Sequence, residues 1–330
     1  MTATTLLNND TKQEVLTAGR YFRRKFGKSV YKIPVSIMGF TCPNIDGTVA
    51  RGGCVFCENE SFSPNLGIKE PSKKFRLNLD STENPFLENQ LLQLEAQVNE
   101  TKSKLRHKFK AEKFLVYFQS FTNTYAPLET LKALYTKALS FEGVIGISVG
   151  TRSDAINEET LAFLAELAKE HEVWVEYGIQ SIYDETLFRI NRGHTYANVV
   201  EWIEKTKAYG LHVCGHLIFG LPGEDQEMML KTVQASIDLK VDSLKIHPLY
   251  VTKRTMLAND YYKGDFTPIS EELYIDTLVK ALKMLPPTIM VQRITAGISN
   301  ESLLAPLWCG DLKSQKKKIR EALEAVGLEY

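Results

Sequence analysis

The sequence contains no run of eighteen or more apolar residues, which excludes a helical membrane span. Its five cysteines in 330 residues are sparse and odd in number, so disulfides do not organise the fold. Net charge is also missing: 40 basic side chains balance 40 acidic ones, which argues against a protein whose entire surface binds nucleic acid. The opening residues MTATTLLNNDTKQEV show neither a basic start followed by an apolar stretch nor a small-residue cleavage site. No signal peptide is expected, and the sequence points to the cytoplasm. No Pro-, Gly- or Ser-rich linker divides the chain. What is present is an ordinary globular composition, 44% hydrophobic and 24% charged, at a length suited to one large domain or two of usual size.

Short β-branched or aromatic runs alternate with amphipathic stretches of helical spacing, the pattern of repeated βα units around a parallel sheet. Strands are expected at 33–40, 113–120, 143–151, 172–181, 211–220, 242–251 and 288–297. Between them, the segment 84–105 carries Phe86, Leu87, Leu91, Leu94 and Val98 near one face, and 157–170, 197–210 and 224–240 show a similar stripe. Asn157 and Asp154 are candidate helix caps. Strand starts recur about every 30 to 40 residues, one βα unit each. Seven strands fall short of the eight that close a barrel, so the expectation is an α/β fold built as an incomplete TIM-type barrel. The exception to the rhythm is Phe40 to Leu79, which has no clear period and holds three of the five cysteines. An insertion of that length after a strand is usually functional or mobile.

Within it, CPNIDGTVARGGCVFC sets Cys42, Cys54 and Cys57 at C-x11-C-x2-C. Three thiols so close in a reducing compartment suit metal ligation better than bridging. Structural zinc normally takes four protein ligands, and no second C-x2-C exists; His107 or Cys214 would have to complete the set. An iron-sulfur cubane held by three cysteines leaves one iron open to a substrate or cofactor. Scattered buried thiols are the third reading. The loop follows the first strand, so a parallel barrel places it at the C-terminal face, where such barrels do their chemistry.

The loop, ending C-V-F-C, resembles the cluster motif of radical S-adenosylmethionine (radical SAM) enzymes. Its long first spacing departs from the commoner C-x3-C-x2-C and resembles the branch containing the Elp3 radical domain. From about Tyr31 to the C-terminus, the chain is similar to the small stand-alone family called YhcC-like or YtqA-like. TRSDAI (151–156), VEYGIQS (175–181) and FGLPGE (219–224) carry the rest of the likeness. No acetyltransferase domain follows, so the second activity of Elp3 is not implied. The resemblance implies a partial (βα)6 barrel with an N-terminal cluster loop and a C-terminal extension. Its parts would be a basic segment at 1–30, the barrel at 31–255 and an extension packed on it at 256–330. Cys42, Cys54 and Cys57 would hold a 4Fe-4S cluster whose open iron chelates S-adenosylmethionine. Reductive cleavage of that cofactor gives methionine and a 5′-deoxyadenosyl radical, which abstracts hydrogen from a substrate. An electron donor such as flavodoxin or ferredoxin is implied.

Alternation along each strand tests this reading. His212, Cys214 and His216 share one face, as do Trp174, Glu176, Gly178 and Gln180, Lys245 and His247, and Gly146 and Ser148. A barrel filled only for stability carries branched apolar residues inside, so this polar interior indicates a lined cavity. By position, Phe56 is assigned to the adenine region, and Gln119, Ser120, Thr122 and Asn123 to the methionine end. Ser148, Thr151 and Arg152 end the third strand, with Arg152 suited to the methionine carboxylate. Glu176 and Gln180 are assigned to the ribose, and Gly220, His216, His247 and Leu249 to further cofactor contacts. No catalytic residue is assigned.

Neutrality hides a segregation. Residues 20–32, 102–113 and 313–320 hold 17 of the 40 Lys and Arg side chains with only Glu112 as an acid, leaving 23 basic against 39 acidic elsewhere. Gathered on one face, these segments would attract a phosphate backbone. Elp3 acts at the wobble uridine of tRNA, and tRNA is the substrate this points to. The alternatives are a small-molecule or protein substrate in the cavity, or a non-catalytic metal-binding interaction protein.

Overall fold

A computed structural model describes residues 13–58, 77, 79, 83–298 and 301–330. The first twelve residues and most of the second half of the Phe40–Leu79 insertion lie outside them. All seven expected strands form one parallel sheet, ordered β2 (Val30–Val35), β3 (Lys113–Phe118), β4 (Val144–Thr151), β5 (Glu172–Gln180), β6 (His212–Phe219), β7 (Ser243–Pro248) and β9 (Met290–Arg293). It curls into a partial TIM-type barrel.

The connecting helices are α3 (Leu87–Phe109), α4 (Leu128–Leu139), α5 (Glu158–Leu167), α6 (Asp184–Arg189) with α7 (Tyr196–Ala208), α8 (Gln226–Asp238), and α9 (Met256–Lys263) with α10 (Glu271–Met284). They cover the outer face, where Val116, Val149, Val175, Val213 and Ile246 pack against helical leucines in one continuous core. Asn157 caps α5, accepting from Thr160 N at 2.8 Å. Asp154 caps nothing and instead pairs with Arg152. The stretch 256–330 is more than a cover, because it supplies the seventh strand, β9.

The first strand ends five residues earlier than its apolar pattern indicates. After Val35 the chain leaves the sheet, and glutamines of α3 stand in for a strand partner. Gln97 donates to Ser36 O at 2.8 Å and accepts from Ser36 N at 2.9 Å, Gln90 donates to Met38 O at 2.7 Å, and Gln93 accepts from Met38 N at 2.8 Å. Buried backbone groups need such partners. They make the inner face of α3 partly polar, with Gln90 and Gln97 buried beside Leu94 and Val98, and they fix the chain where it enters the cysteine loop.

An incomplete barrel has two sheet edges to protect. That of β9 pairs with the chain leading from β1 (Gln13–Glu14) into α1 (Ala18–Phe26): Val291 N donates to Leu16 O at 2.7 Å. Across the seam, Lys32 of β2 reaches Gln292 Oε1 at 2.6 Å. β1 itself pairs with β11 (Leu328–Glu329), which follows the C-terminal helix α11 (Leu312–Glu324). The short β8 (Val251–Thr252) and β10 (Leu303–Ala305) pair beside the barrel mouth.

Inside, polarity changes along the axis. Near the strand starts Leu115, Trp174, Cys214 and Met290 pack with Phe22 of α1. Gly146 permits β5 to approach β4 there, because a Cβ at this position would overlap the carbonyl and Cβ of Glu172. Gly146→Ala is therefore expected to destabilise the fold by about 1–3 kcal/mol, read as a lower urea midpoint with unchanged slope. An unchanged midpoint contradicts this packing.

Candidate functional site

At the strand ends the cysteine loop closes over a cavity of about 160 Å³. Cys42 is the extended residue that starts the one-turn α2 (Pro43–Asp46), with Pro43 at its first position. Cys57 N donates to Cys54 O at 2.9 Å, so the C-x2-C pair forms one turn. Cys54 is buried, Cys42 and Cys57 are half-buried, and all three line the cavity.

The loop is fastened by the turn that follows α6. Val55 N donates to Ile190 O at 3.1 Å, and Asn191 Nδ2 donates to Gly53 O at 2.7 Å and Arg51 O at 3.0 Å. Asn44 donates to Asn191 O and, at 3.7 Å, to Cys54 Sγ. Gly193, at φ +81°, has no Cβ because one would overlap Asn44 Oδ1. Two buried guanidiniums complete the wall. Arg192 donates to Cys54 Sγ at 3.6 Å and to Gly178 O at 2.8 Å. Arg152 holds Asp154 through two bonds of 2.8 and 2.6 Å and donates to Arg192 O at 2.7 Å. Arg152 is buried and Asp154 half-buried. Against the cost of burial, Arg152 holds the Asp154 carboxyl below its usual range.

Several buried polar atoms here have no partner among the described residues: Arg152 Nη1, Arg192 Nε, Gln180 Oε1 and Asn44 Oδ1. Such atoms are rare in a finished core and indicate a missing ligand. Burial, then the neighbouring Cys54 and Cys42, push the Cys57 thiol up to about 12, an arrangement that bound metal relieves. Tetrahedral zinc with Zn–S near 2.3 Å would hold its sulfurs ~3.8 Å apart. Among the described residues, the three ligating atoms that lie within 4.8 Å of one another belong to Glu176, Cys214 and His216, not to the loop. The three loop sulfurs as a set do not meet that limit.

A second chamber of about 200 Å³ shares Phe56, Tyr117, Gln119, Gln180 and His216 with the first and adds Lys245, His247, Leu249 and Arg293. Of the positions assigned from sequence, Phe56, Gln119, Thr122, Thr151, Arg152, Glu176, Gln180 and His216 line the cysteine cavity, and His247 and Leu249 the second chamber. Ser120, Asn123, Ser148 and Gly220 line neither. Ser120 bonds Ser36, Asn123 donates to Gly150 O, Ser148 donates to Glu176 from below, and Gly220 packs on Ile269. His107 is exposed on α3.

The floor beneath both chambers is a charged knot. The fully buried Glu176 carboxylate accepts from Lys32 at 2.7 Å and from His216 Nε2 at 2.7 Å, and also from Lys245 and Ser148. Burial opposes the charge, but Lys245 and Lys32 overcome it and hold the carboxyl well below its usual range. Each of its two oxygens thus accepts from two of these groups. Two ammonium groups beside it also make the Glu176–Cys214–His216 set unsuited to a divalent ion. The Tyr117 ring takes both ammoniums against it, its centroid 4.6 Å from Lys32 Nζ and 4.1 Å from Lys245 Nζ. Burial, then Lys245, lowers His216 to about 4, leaving a neutral imidazole at neutral pH.

Sequence reading missed Lys32, Tyr117, Arg192 and Arg293. Alternation could have found Tyr117, which is in phase with Gln119, and Lys32, had the first strand been started at Val30. Arg192 and Arg293 carry no such signal.

A half-barrel with a three-thiol loop over its strand ends, opening on a cavity where Arg152, Arg192 and Gln180 each keep one polar atom unpartnered among the described residues, defines a partial TIM-type barrel with a candidate site at its mouth. Residues 45–235 match the family described as the Radical SAM superfamily, and 241–325 match the Radical_SAM C-terminal domain. The chain belongs to the radical SAM superfamily. It is 35% identical to YtqA of Bacillus subtilis, over 91% of this chain and 86% of that one. It is 32% identical to a tRNA uridine(34) acetyltransferase of Methanocaldococcus jannaschii over 47% of this chain and 28% of that protein. Its fold matches the solved Elp3 of Methanocaldococcus infernus with a TM-score of 0.62 at 20% identity, covering 91% of this chain and 64% of that one.

The knot generates a prediction. Glu176→Ala leaves Lys32 and Lys245 buried without their carboxylate and should cost about 3–5 kcal/mol. Because the folded pKa lies below the unfolded 4.5, the contribution of Glu176 is present above that pH and lost as pH falls below it. The gap in urea midpoint between wild type and Glu176→Gln should therefore narrow below pH 4.5. A gap independent of pH would contradict a charged knot.

Proposed function

We propose that the protein is a radical SAM enzyme in which Cys42, Cys54 and Cys57 hold a 4Fe-4S cluster and the adjoining cavity receives S-adenosylmethionine. The observation that carries this is the loop's three thiols lining a cavity in which Arg152 Nη1, Arg192 Nε and Gln180 Oε1 have no partner among the described residues. When bound, such a cluster supplies the electron that splits the cofactor into methionine and a 5′-deoxyadenosyl radical able to take hydrogen from a substrate. The protein's own residues bind and orient. Arg152, its charge already balanced by Asp154, turns its unpartnered Nη1 to the methionine carboxylate. Gln119, Thr122 and Thr151 surround the methionine end, Gln180 offers Oε1 to a ribose hydroxyl, and Phe56 packs between the two chambers. His216, His247 and Leu249 bound the second chamber, where the substrate is placed. Electrons come from a small carrier of the flavodoxin or ferredoxin kind.

We assign the substrate to RNA, with a tRNA wobble uridine as the candidate. One support is the likeness to a relative named for uridine 34 of tRNA. The other is charge, although not in the way three converging segments would supply it. The first two basic segments do meet: Lys28 pairs with Glu112 and Tyr31 stacks on Phe109 with ring centroids 5.4 Å apart. They meet at the strand starts, away from the cavities, and much of their charge is matched, Arg20 by Glu329, Lys25 by Glu172 and Arg106 by Glu142. The third segment brings Lys316 and Arg320 to a groove of about 500 Å³ beside β9, with Arg293, which also lines the second chamber. None of these three cations forms an ion pair among the described residues.

Anaerobic reconstitution with iron and sulfide, followed by reduction with S-adenosylmethionine present, should yield 5′-deoxyadenosine, and Cys54→Ala should abolish it. Bound zinc without iron, and an intact cofactor, would refute the enzyme. A deletion strain should lose one modified tRNA nucleoside, whereas an unchanged nucleoside profile across growth conditions would refute the RNA substrate and leave cofactor cleavage standing.

A further inference from the structure

We propose that Arg192 is a positioning residue of the cysteine site, one that sets the reduction potential of a cluster held there. This rests on the cluster reading above. Arg192 is only 6% exposed, and its guanidinium, always charged, lies 3.6 Å from Cys54 Sγ. Its other arm is pinned to Gly178 O at 2.8 Å, and its own carbonyl accepts from Arg152, so main chain and side chain are both fixed. A Cβ at Gly178 would come within 2.6 Å of Nη2; the glycine is what lets the guanidinium lie against β5.

The two buried arginines divide the work by their partners. Arg152 is neutralised by a bidentate Asp154 and keeps one donor for a ligand. Arg192 has no ion-paired carboxylate among the described residues, its Nε is unpartnered, and the sulfur takes its charge. Asn44 adds a second donor to the same sulfur at 3.7 Å. Hydrogen bonds and positive charge at a ligating sulfur stabilise the more electron-rich state of a cluster, and burial strengthens both. Cys54 is thereby the ligand through which this chain makes a low-potential centre easier to reduce.

The test compares reconstituted wild type, Arg192→Gln and Arg192→Lys by iron and sulfide content and by a redox titration followed by electron paramagnetic resonance. Arg192→Gln, neutral but able to donate, should load its cluster yet show a reduced-to-oxidised ratio about tenfold lower at the wild-type midpoint, a shift of about 59 mV for one electron. Arg192→Lys should restore the midpoint toward wild type. A loaded Arg192→Gln with the wild-type midpoint overturns the proposal, as does failure of both variants to hold iron, which would make Arg192 a brace for the loop alone. Wild-type protein that binds no iron would instead refute the cluster itself.

Discussion

The buried Glu176 carboxylate is the constraint on which the barrel interior depends. It gathers Lys32 from β2, Ser148 from β4, His216 from β6 and Lys245 from β7 onto β5, so five of the seven strands meet at one charge. An ion cluster in so dry a place stabilises only when every member is satisfied. Here Lys32 also spans the open seam to Gln292, tying the first strand to the last. The knot separates an apolar plug around Trp174 and Cys214 from the chambers above and forms their rigid polar floor.

Above that floor the precision comes from loops clamped on each other. The cysteine loop has little regular structure, yet its backbone is gripped by the 190–193 turn and its entry by the glutamines of α3. Both grips use side-chain amides to satisfy main-chain groups that no strand or helix reaches. The result is a wall in which three thiols, two guanidiniums and an amide face one small volume with several donors and acceptors unspent. A fold optimised for stability alone would not leave them so, and a functional site accounts for the exception.

Much of the architecture was legible in the sequence. Seven strands appear, six of them close to where alternation and β-branched runs set them and the first displaced toward the N-terminus, and the polar faces of β5, β6 and β7 do point inward, because the side-chain period is a local consequence of the strand pattern. The C-x11-C-x2-C spacing singled out the thiols. Legibility stopped where partners are distant. Nothing local says that Ser36–Met38 leaves the sheet for glutamines 52 to 61 residues on, or that Ser148 and Glu176 spend their polar atoms on each other.

The sequence by itself determined the parallel βα scaffold, the family and the grouping of three thiols in one loop, since these follow from periodicity and from residue types a few positions apart. The tertiary structure alone decided which charges meet. It split the three basic segments, placing two at the strand starts with their acids and one beside the seam. It paired Arg152 with Asp154 while leaving Arg192 to a sulfur, and it buried Glu176 between two lysines. Electrostatic energy depends on distance and dielectric in three dimensions, and neither is written along the chain.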